Sequence, residues 1–353
     1  MHILHVVGTR PNFIKAAPVL AALAKRELIQ QTLVHTGQHY DANMSEVFFR
    51  ELDMPLPDVN LAIDSGTHYQ QISRIMARFE PVVCDYDPDL VLVYGDVTST
   101  RAAAQVCSKI GIHLSHIEAG LRSYDRSMPE EMNRVIADQL SDLLFTPSSE
   151  ADENLCREGV GTDKIHRVGN VMIDSLVRML PQCTKPVGFH EGYALVTLHR
   201  PSNVDDPAWL SNLLAAFVGL AEELPVIFPV HPRTCQRIVE TGFNAASSKI
   251  NFLESLPYLT FLALQKNATV VITDSGGVQE ETTYLGIPCL TLRENTERPI
   301  TVSLGTNLVI GRDIKRMRQE VANVLCGKVK KRNAIPLWDG HTAERIAKIL
   351  VGV

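Results

Sequence analysis

No apolar run in the 353-residue chain approaches the ~18 residues that a membrane-crossing helix requires, and no cationic leader precedes a cleavage site. The expectation is a soluble, cytoplasmic protein with no membrane partner. There is no basic tract, and the formal net charge is −6, the reverse of the footprint left by non-specific nucleic-acid binding. Nucleic acid is not an expected partner. The seven cysteines (Cys84, Cys107, Cys156, Cys183, Cys235, Cys289 and Cys326) contain no C-x-x-C pair and are odd in number, which excludes a disulfide framework or zinc site and leaves reduced packing residues. No G-x-G-x-x-G follows a strand, and no G-x-x-x-x-G-K-[ST] occurs, so neither a tightly bound dinucleotide nor a P-loop is expected. Internal repeats and low-complexity tracts are also missing.

What is present alternates. Short apolar runs such as "HILHVVG", "QTLVHTG", "DLVLVYG" and "IHLSHIE" are separated by amphipathic stretches, and the pattern starts afresh after about residue 170 with "YALVTLH", "PVIFPVH", "TVVITD" and "CLTLRE". This is β-α repetition, hence parallel sheets covered by helices on both faces. The chain is long enough for two domains. The expected division is an α/β fold of two Rossmann-like domains facing a central cleft, one at 1–169 and one at 170–339. The amphipathic helix at 340–353 carries a stripe of Ala343, Ile346, Ala347 and Leu350 that must pack on something. "VGNVMIDSLVRMLPQ" reads as a connecting helix and "CTKPVGFHEGY" as a linker.

In open parallel sheets, ligands sit beyond the carboxyl ends of the strands, so the loops there carry the functional candidates. In "VVITDSGGVQEE" (270–281) an apolar strand runs through Asp274 into Ser275, Gly276 and Gly277 and resumes as a helix, an arrangement whose free N–H groups attract phosphate. Glu280 and Glu281 would repel phosphate. Either they hold another part of a nucleotide, such as a sugar diol, or the stretch is a tight turn whose acids suit a helix N-terminus. Arg10 precedes Pro11 at a helix start and is placed to reach an anion, whereas Lys15 reads more readily as a helix-surface lysine. Asp96, Glu118 and Glu130 lie at or after strand ends of the first half. Asp96 alone could be an N-cap, and Glu130 and Glu131 could be acids at a positive helix end. Glu118 follows a run that should be buried, so it faces a cleft or a buried cation such as Arg122. His199 and His231 end strands of the second half, where histidine is more often structural. No close pair of His or carboxylate ligands supports a metal.

Taken in order, "GTRP..IK", "GD.TST", "H.EAGLRS", "PEE.NR", "HR", "TDSGG.QEE" and "TERP" resemble the non-hydrolysing UDP-N-acetylglucosamine 2-epimerases across essentially the whole chain. The resemblance implies a glycosyltransferase B-type fold, a last helix returning to the first domain, no cofactor and no metal, a UDP-sugar substrate, a homodimer, and a place in surface polysaccharide or glycan synthesis. It implies that Arg10, His199, Ser275, Gly276, Gly277, Glu281 and Arg298 bind UDP, with Phe261 beside the uracil. It also implies that Asp96, Glu118 and Glu130 are the catalytic carboxylates, with Lys15 and Arg134 nearby. Many bacterial members bind a second UDP-N-acetylglucosamine as activator. Here Gln38 and His39 match that site, but Tyr40 and Ser65-Gly66 stand where cationic residues are usual, so weak or absent activation is expected. Asn12, Val97 and Pro201-Ser202 also depart from the usual pattern, all near the sugar.

Epimerisation at carbon 2 removes a proton that no adjacent carbonyl acidifies, so the bond to UDP must supply the exit for electrons. The implied route is base removal of the proton with loss of UDP, a 2-acetamidoglucal, then protonation from the other face as UDP re-adds. Two faces require separate groups, which suits several carboxylates in one site. Arg10, Arg298, the helix start at Ser275 and His199 would stabilise the departing diphosphate. The alternatives are the same chemistry on a UDP-2,3-diacetamido uronic acid, a UDP-sugar glycosyltransferase, a hydrolysing relative, and a non-catalytic sensor that keeps the phosphate loop.

Overall fold

The computed structural model describes residues 1–37, 49–64, 66–184, 192–245 and 248–352. Gln38, His39, Tyr40 and Ser65, and most of the expected linker, lie outside these ranges. The chain divides into two compact units, one formed by 1–178 with 336–353 and the other by 179–335.

The first unit is built on strands β1 (His2–Val7), β2 (Gln30–His35), β3 (Val59–Asn60), β4 (Leu90–Tyr94), β5 (Leu114–Ile117), β6 (Leu143–Thr146) and β7 (Ile165–Arg167). They pair in parallel in the order β3-β2-β1-β4-β5-β6-β7. Every residue of β4 and β5 is buried, as expected when helices such as Thr98–Ile110 and Pro129–Leu140 cover both faces. Beneath the helices lies a core of Leu4, Val6, Phe79, Val91, Val93 and the alanines at 102–104. The order reverses between β1 and β4, so the carboxyl ends of these strands open the crevice that binds ligands in such sheets.

The last helix, Thr342–Val351, packs on the helix Arg10–Leu23. Its buried stripe is Ala343, Ile346, Ala347 and Leu350. Its N-terminus is held by Asp174, whose carboxylate accepts from the amides of Thr342 (3.0 Å) and Ala343 (2.6 Å).

The second unit is built on β8 (Ala194–Thr197), β9 (Val226–Pro229), β10 (Ile250–Leu253), β11 (Val270–Thr273), β12 (Cys289–Thr291) and β13 (Asn307–Val309), all parallel in the order β10-β9-β8-β11-β12-β13. The reversal falls between β8 and β11. His199 follows the first of these strands and Asp274 begins the loop after the second.

Candidate active site

In the first unit the turns after β4 and β5 carry three residues with left-handed backbone: Gly95 (φ 59°), Glu118 (φ 72°) and Gly120 (φ 81°). Glu118 is a glutamate where glycine is the low-cost choice, and its amide and that of Ala119 both donate to the Phe145 carbonyl at 3.0 Å. Its carboxylate is buried and forms an ion pair with the Lys15 ammonium, also buried. Lys15 therefore does not lie on a helix surface, and the cation facing Glu118 is not Arg122. The Arg122 guanidinium instead meets Asp138 at 2.6 Å and clasps Glu158 through two bonds of 2.7 Å. Gly95 packs directly on the lysine-glutamate pair, since a Cβ there would come within 2.9 Å of Glu118 Oε2. Gly95, the residue directly before Asp96, thereby stands next to Glu118 in space.

Asp96 is not an N-cap; Val97 occupies that position for the following helix. The Asp96 carboxylate is paired with Arg134, and its carbonyl accepts from Asn133 Nδ2 at 2.9 Å. Arg134 is buried and also reaches Glu131 at 2.8 Å. The neighbouring glutamates thus separate by role. Glu131 accepts from the amides of Ser123 (2.9 Å) and Tyr124 (2.8 Å) and fastens that loop. Burial would raise its carboxyl, but those amides and Arg134 hold it below its ordinary value. Glu130 is half-buried and lies near His68, whose charged form it favours against burial and the repulsion of Arg101. Arg10 is half-buried at the first helical position after β1. Nearby Asn12 ties the same turn to β4, accepting from Gly8 N (3.0 Å) and donating to the Tyr94 carbonyl (2.7 Å).

In the second unit the helix Gly276–Leu285 starts directly after β11, with no acidic residue in its first turn. Glu280 and Glu281 belong to the second turn and are buried, so the reading of acids at a positive helix end does not hold. Glu280 pairs with Arg298 at 2.8 Å, and Glu281 accepts from Tyr258 Oη (2.7 Å) and Gln265 Nε2 (3.2 Å). The Arg298 guanidinium lies over Gly276 so closely that a Cβ would come within 2.9 Å of its Cζ. Ser275 stands at the cap position and the first-turn amides begin the helix, the arrangement that accepts phosphate oxygens. Phe261, half-buried on the helix Tyr258–Lys266, packs against the cluster containing Leu264 and Val278.

Across the strand-order reversal, Asp274 has a fully buried carboxylate that receives His199 Nδ1 at 3.0 Å, the His199 and Arg200 amides, and Asn203 Nδ2 at 3.0 Å. Burial would raise this carboxyl, but the His199 contact, Asn203 and the Arg200 amide hold it below its ordinary value. His199 keeps about half its side chain exposed, with Nδ1 turned to the aspartate. Reading residue by residue missed Asp274 as a partner for His199; the available signal was an acid straight after a buried strand. By contrast His231 is structural, capping the helix Pro232–Glu240 through the Arg233 amide at 3.3 Å. Among the described residues no cluster of His, Cys, Asp and Glu suited to a metal ion occurs.

The family model for UDP-N-acetylglucosamine 2-epimerase matches residues 21–351. The chain belongs to that family. A UDP-N-acetylglucosamine 2-epimerase of Methanocaldococcus jannaschii is 42% identical over 98% of this chain and 97% of its own length. A crystal structure of the epimerase from that organism, in complex with UDP-GlcNAc and UDP, superposes with a TM-score of 0.93 at 41% identity, covering 100% of both chains. The UDP-2,3-diacetamido-2,3-dideoxy-D-glucuronate 2-epimerase of Pseudomonas aeruginosa is 40% identical over 99% of each chain. Membership in the UDP-N-acetylglucosamine 2-epimerase family makes this chain an isomerase of the glycosyltransferase B-type fold, with two Rossmann-like units.

Proposed function

We propose that this epimerase interconverts UDP-N-acetylglucosamine and UDP-N-acetylmannosamine by eliminating UDP and adding it back. One carboxylate takes the carbon-2 proton as the bond from carbon 1 to the diphosphate breaks, and the electron pair becomes the carbon 1–carbon 2 double bond of a 2-acetamidoglucal. UDP then re-adds at carbon 1 while a second carboxylic acid protonates the opposite face of carbon 2. Asp96, Glu118 and Glu130 are the candidates for these roles, with Lys15 and Arg134 setting the charge around them. Arg10, Arg298, His199 and the amides at Ser275, Gly276 and Gly277 are the candidates for holding the diphosphate, Glu281 for the ribose hydroxyls and Phe261 for the uracil. Each well-placed donor is worth roughly 3 kcal/mol to a developing anion.

The observation that carries this reading is the buried Glu118 carboxylate, turned by a left-handed backbone at a strand end and held by Lys15 against Gly95, the residue before Asp96. A sugar-nucleotide sensor has no use for it, and a transferase needs at most one base. Incubation with UDP-N-acetylglucosamine alone separates the outcomes by product. UDP-N-acetylmannosamine with deuterium gained at carbon 2 in heavy water supports elimination. Free sugar with UDP means hydrolysis, an unchanged substrate means a sensor or a transferase awaiting its acceptor, and retention of the original hydrogen means hydride chemistry.

A second reading is the same reaction on a UDP-2,3-diacetamido uronic acid, favoured by the 40%-identical relative that carries that name. The ratio of kcat/KM on the two substrates decides between them. A homodimer and a role in polysaccharide synthesis belong to the same proposal and rest on the family resemblance, and a cytoplasmic location belongs to it as an expectation from the sequence; sedimentation tests the first.

A further inference from the structure

His116 lies in the middle of β5, and its side chain is fully buried. Its Nδ1 is 2.6 Å from Asp138 Oδ1 and its Nε2 is 2.7 Å from the carbonyl oxygen of Gly95. A carbonyl can only accept. The Asp138 carboxylate, for its part, already receives Arg122 at 2.6 Å and the Gly120 amide at 3.1 Å through its other oxygen. Asp138 is buried in the helix Pro129–Leu140, the same helix that supplies Arg134 and Glu130. Both imidazole nitrogens therefore face acceptors, and a doubly protonated ring satisfies both contacts at once.

The two groups that this ring and its aspartate grip are backbone atoms of the turns that aim the proposed carboxylates. The Gly95 carbonyl immediately precedes Asp96, and the Gly120 amide lies two residues after Glu118. The Glu118 turn is left-handed at a residue other than glycine, a conformation that persists only where the surroundings hold it.

We propose that His116, held as an imidazolium by Asp138, is a positioning residue that locks the Asp96 and Glu118 turns in one relative geometry. It touches no substrate and acts through the backbone of the two loops. This inference rests on the assignment of Asp96 and Glu118 to the carbon-2 chemistry.

The test combines kinetics with spectroscopy on the full chain. His116→Leu removes both donors, and kcat for epimerisation should fall roughly 10²-fold, the cost of about an ångström of misplacement. KM and UDP affinity should stay as in the wild type, because the proposed UDP groups other than Arg10 lie in the other unit and Arg10 belongs to neither of the two turns that His116 and Asp138 hold. His116→Gln restores a donor towards Gly95 and should recover part of kcat. Nitrogen-15 spectra of the wild-type ring in the folded protein should show both nitrogens protonated. Wild-type kcat in His116→Leu, a parallel loss of UDP affinity, no recovery in His116→Gln, or one unprotonated ring nitrogen would each overturn the proposal. Should His116→Leu fail to fold, the glutamine variant and the wild-type spectrum still decide it. A wild-type enzyme that does not epimerise at all while its His116 is doubly protonated would mark a failure of the proposed function instead.

Discussion

Glu118 combines a left-handed backbone, burial and a buried ammonium partner, so conservative changes there should separate chemistry from folding. Glu118→Gln keeps size and hydrogen-bonding atoms while removing the proposed base. Turnover should fall by at least the ~10²-fold that a general acid or base contributes, with UDP affinity nearly intact by calorimetry. Near-normal turnover would remove Glu118 from the mechanism. Lys15→Met takes the ammonium away from a buried carboxylate and should cost roughly 3–5 kcal/mol in denaturant unfolding. Adding Glu118→Gln to that variant should return part of the stability, and a double variant less stable than Lys15→Met alone would contradict the pairing. Arg298→Ala should act chiefly on UDP affinity. It also leaves Glu280 and Glu297 without the partner they share, so its stability must be measured beside its binding.

At the scale of elements, the features that aim these side chains are turns and helix ends. Gly95 has φ 59°, and a Cβ there would press on Glu118. Gly95→Ala should therefore lower turnover much further than its modest loss of stability, about 1–2 kcal/mol for a left-handed alanine. A variant with full turnover would show that the close packing is not required. The last helix gives an independent test. Asp174 serves its N-terminal amides from a different helix, and Asp174→Ala should cost about 1 kcal/mol in the urea midpoint, as loss of a cap does elsewhere. An unchanged midpoint would mean that packing of Ile346 and Leu350 alone holds that helix.

Across the whole molecule, stability should decline on acidification in two stages. His5 is buried against Tyr94, and burial pushes its pKa down from 6.5 to about 3. The unfolded chain takes up that proton first, so stability falls as pH drops from 6.5 towards 3. Glu131, Asp138 and Asp274 are all held below the ordinary carboxylate range. Their contribution is complete above about pH 4 and is lost as the pH falls further, through their folded values. Asp174 is raised by burial and works weakly in the opposite direction. Urea unfolding at a series of pH values should show the gentle limb and then the steep one, and His5→Gln should flatten the first. The kinetics offer a second molecular test. With Tyr40 and Ser65-Gly66 in place of cationic residues, dependence on UDP-N-acetylglucosamine should be hyperbolic, and a strongly sigmoidal curve would show activation to be present.

The sequence by itself determined the alternation of strands and helices, the two parallel sheets and the residue types at the strand ends, because each follows from local periodicity or short motifs. It also carried the family resemblance, through seven loops in order. Partner choice was decided only by the tertiary structure. Arg122 is four residues from Glu118 and looks like its cation, yet Lys15, from the helix after β1, takes that place because β1 lies beside β4 in the sheet. Glu130 and Glu131 are equivalent on paper until the loop at 123–124 claims one of them. Asp274 meets His199 across 75 residues, and His116 meets Gly95 across 21. Strand order in a parallel sheet sets these meetings, and strand order is a property of the assembled sheet that no local stretch of sequence contains.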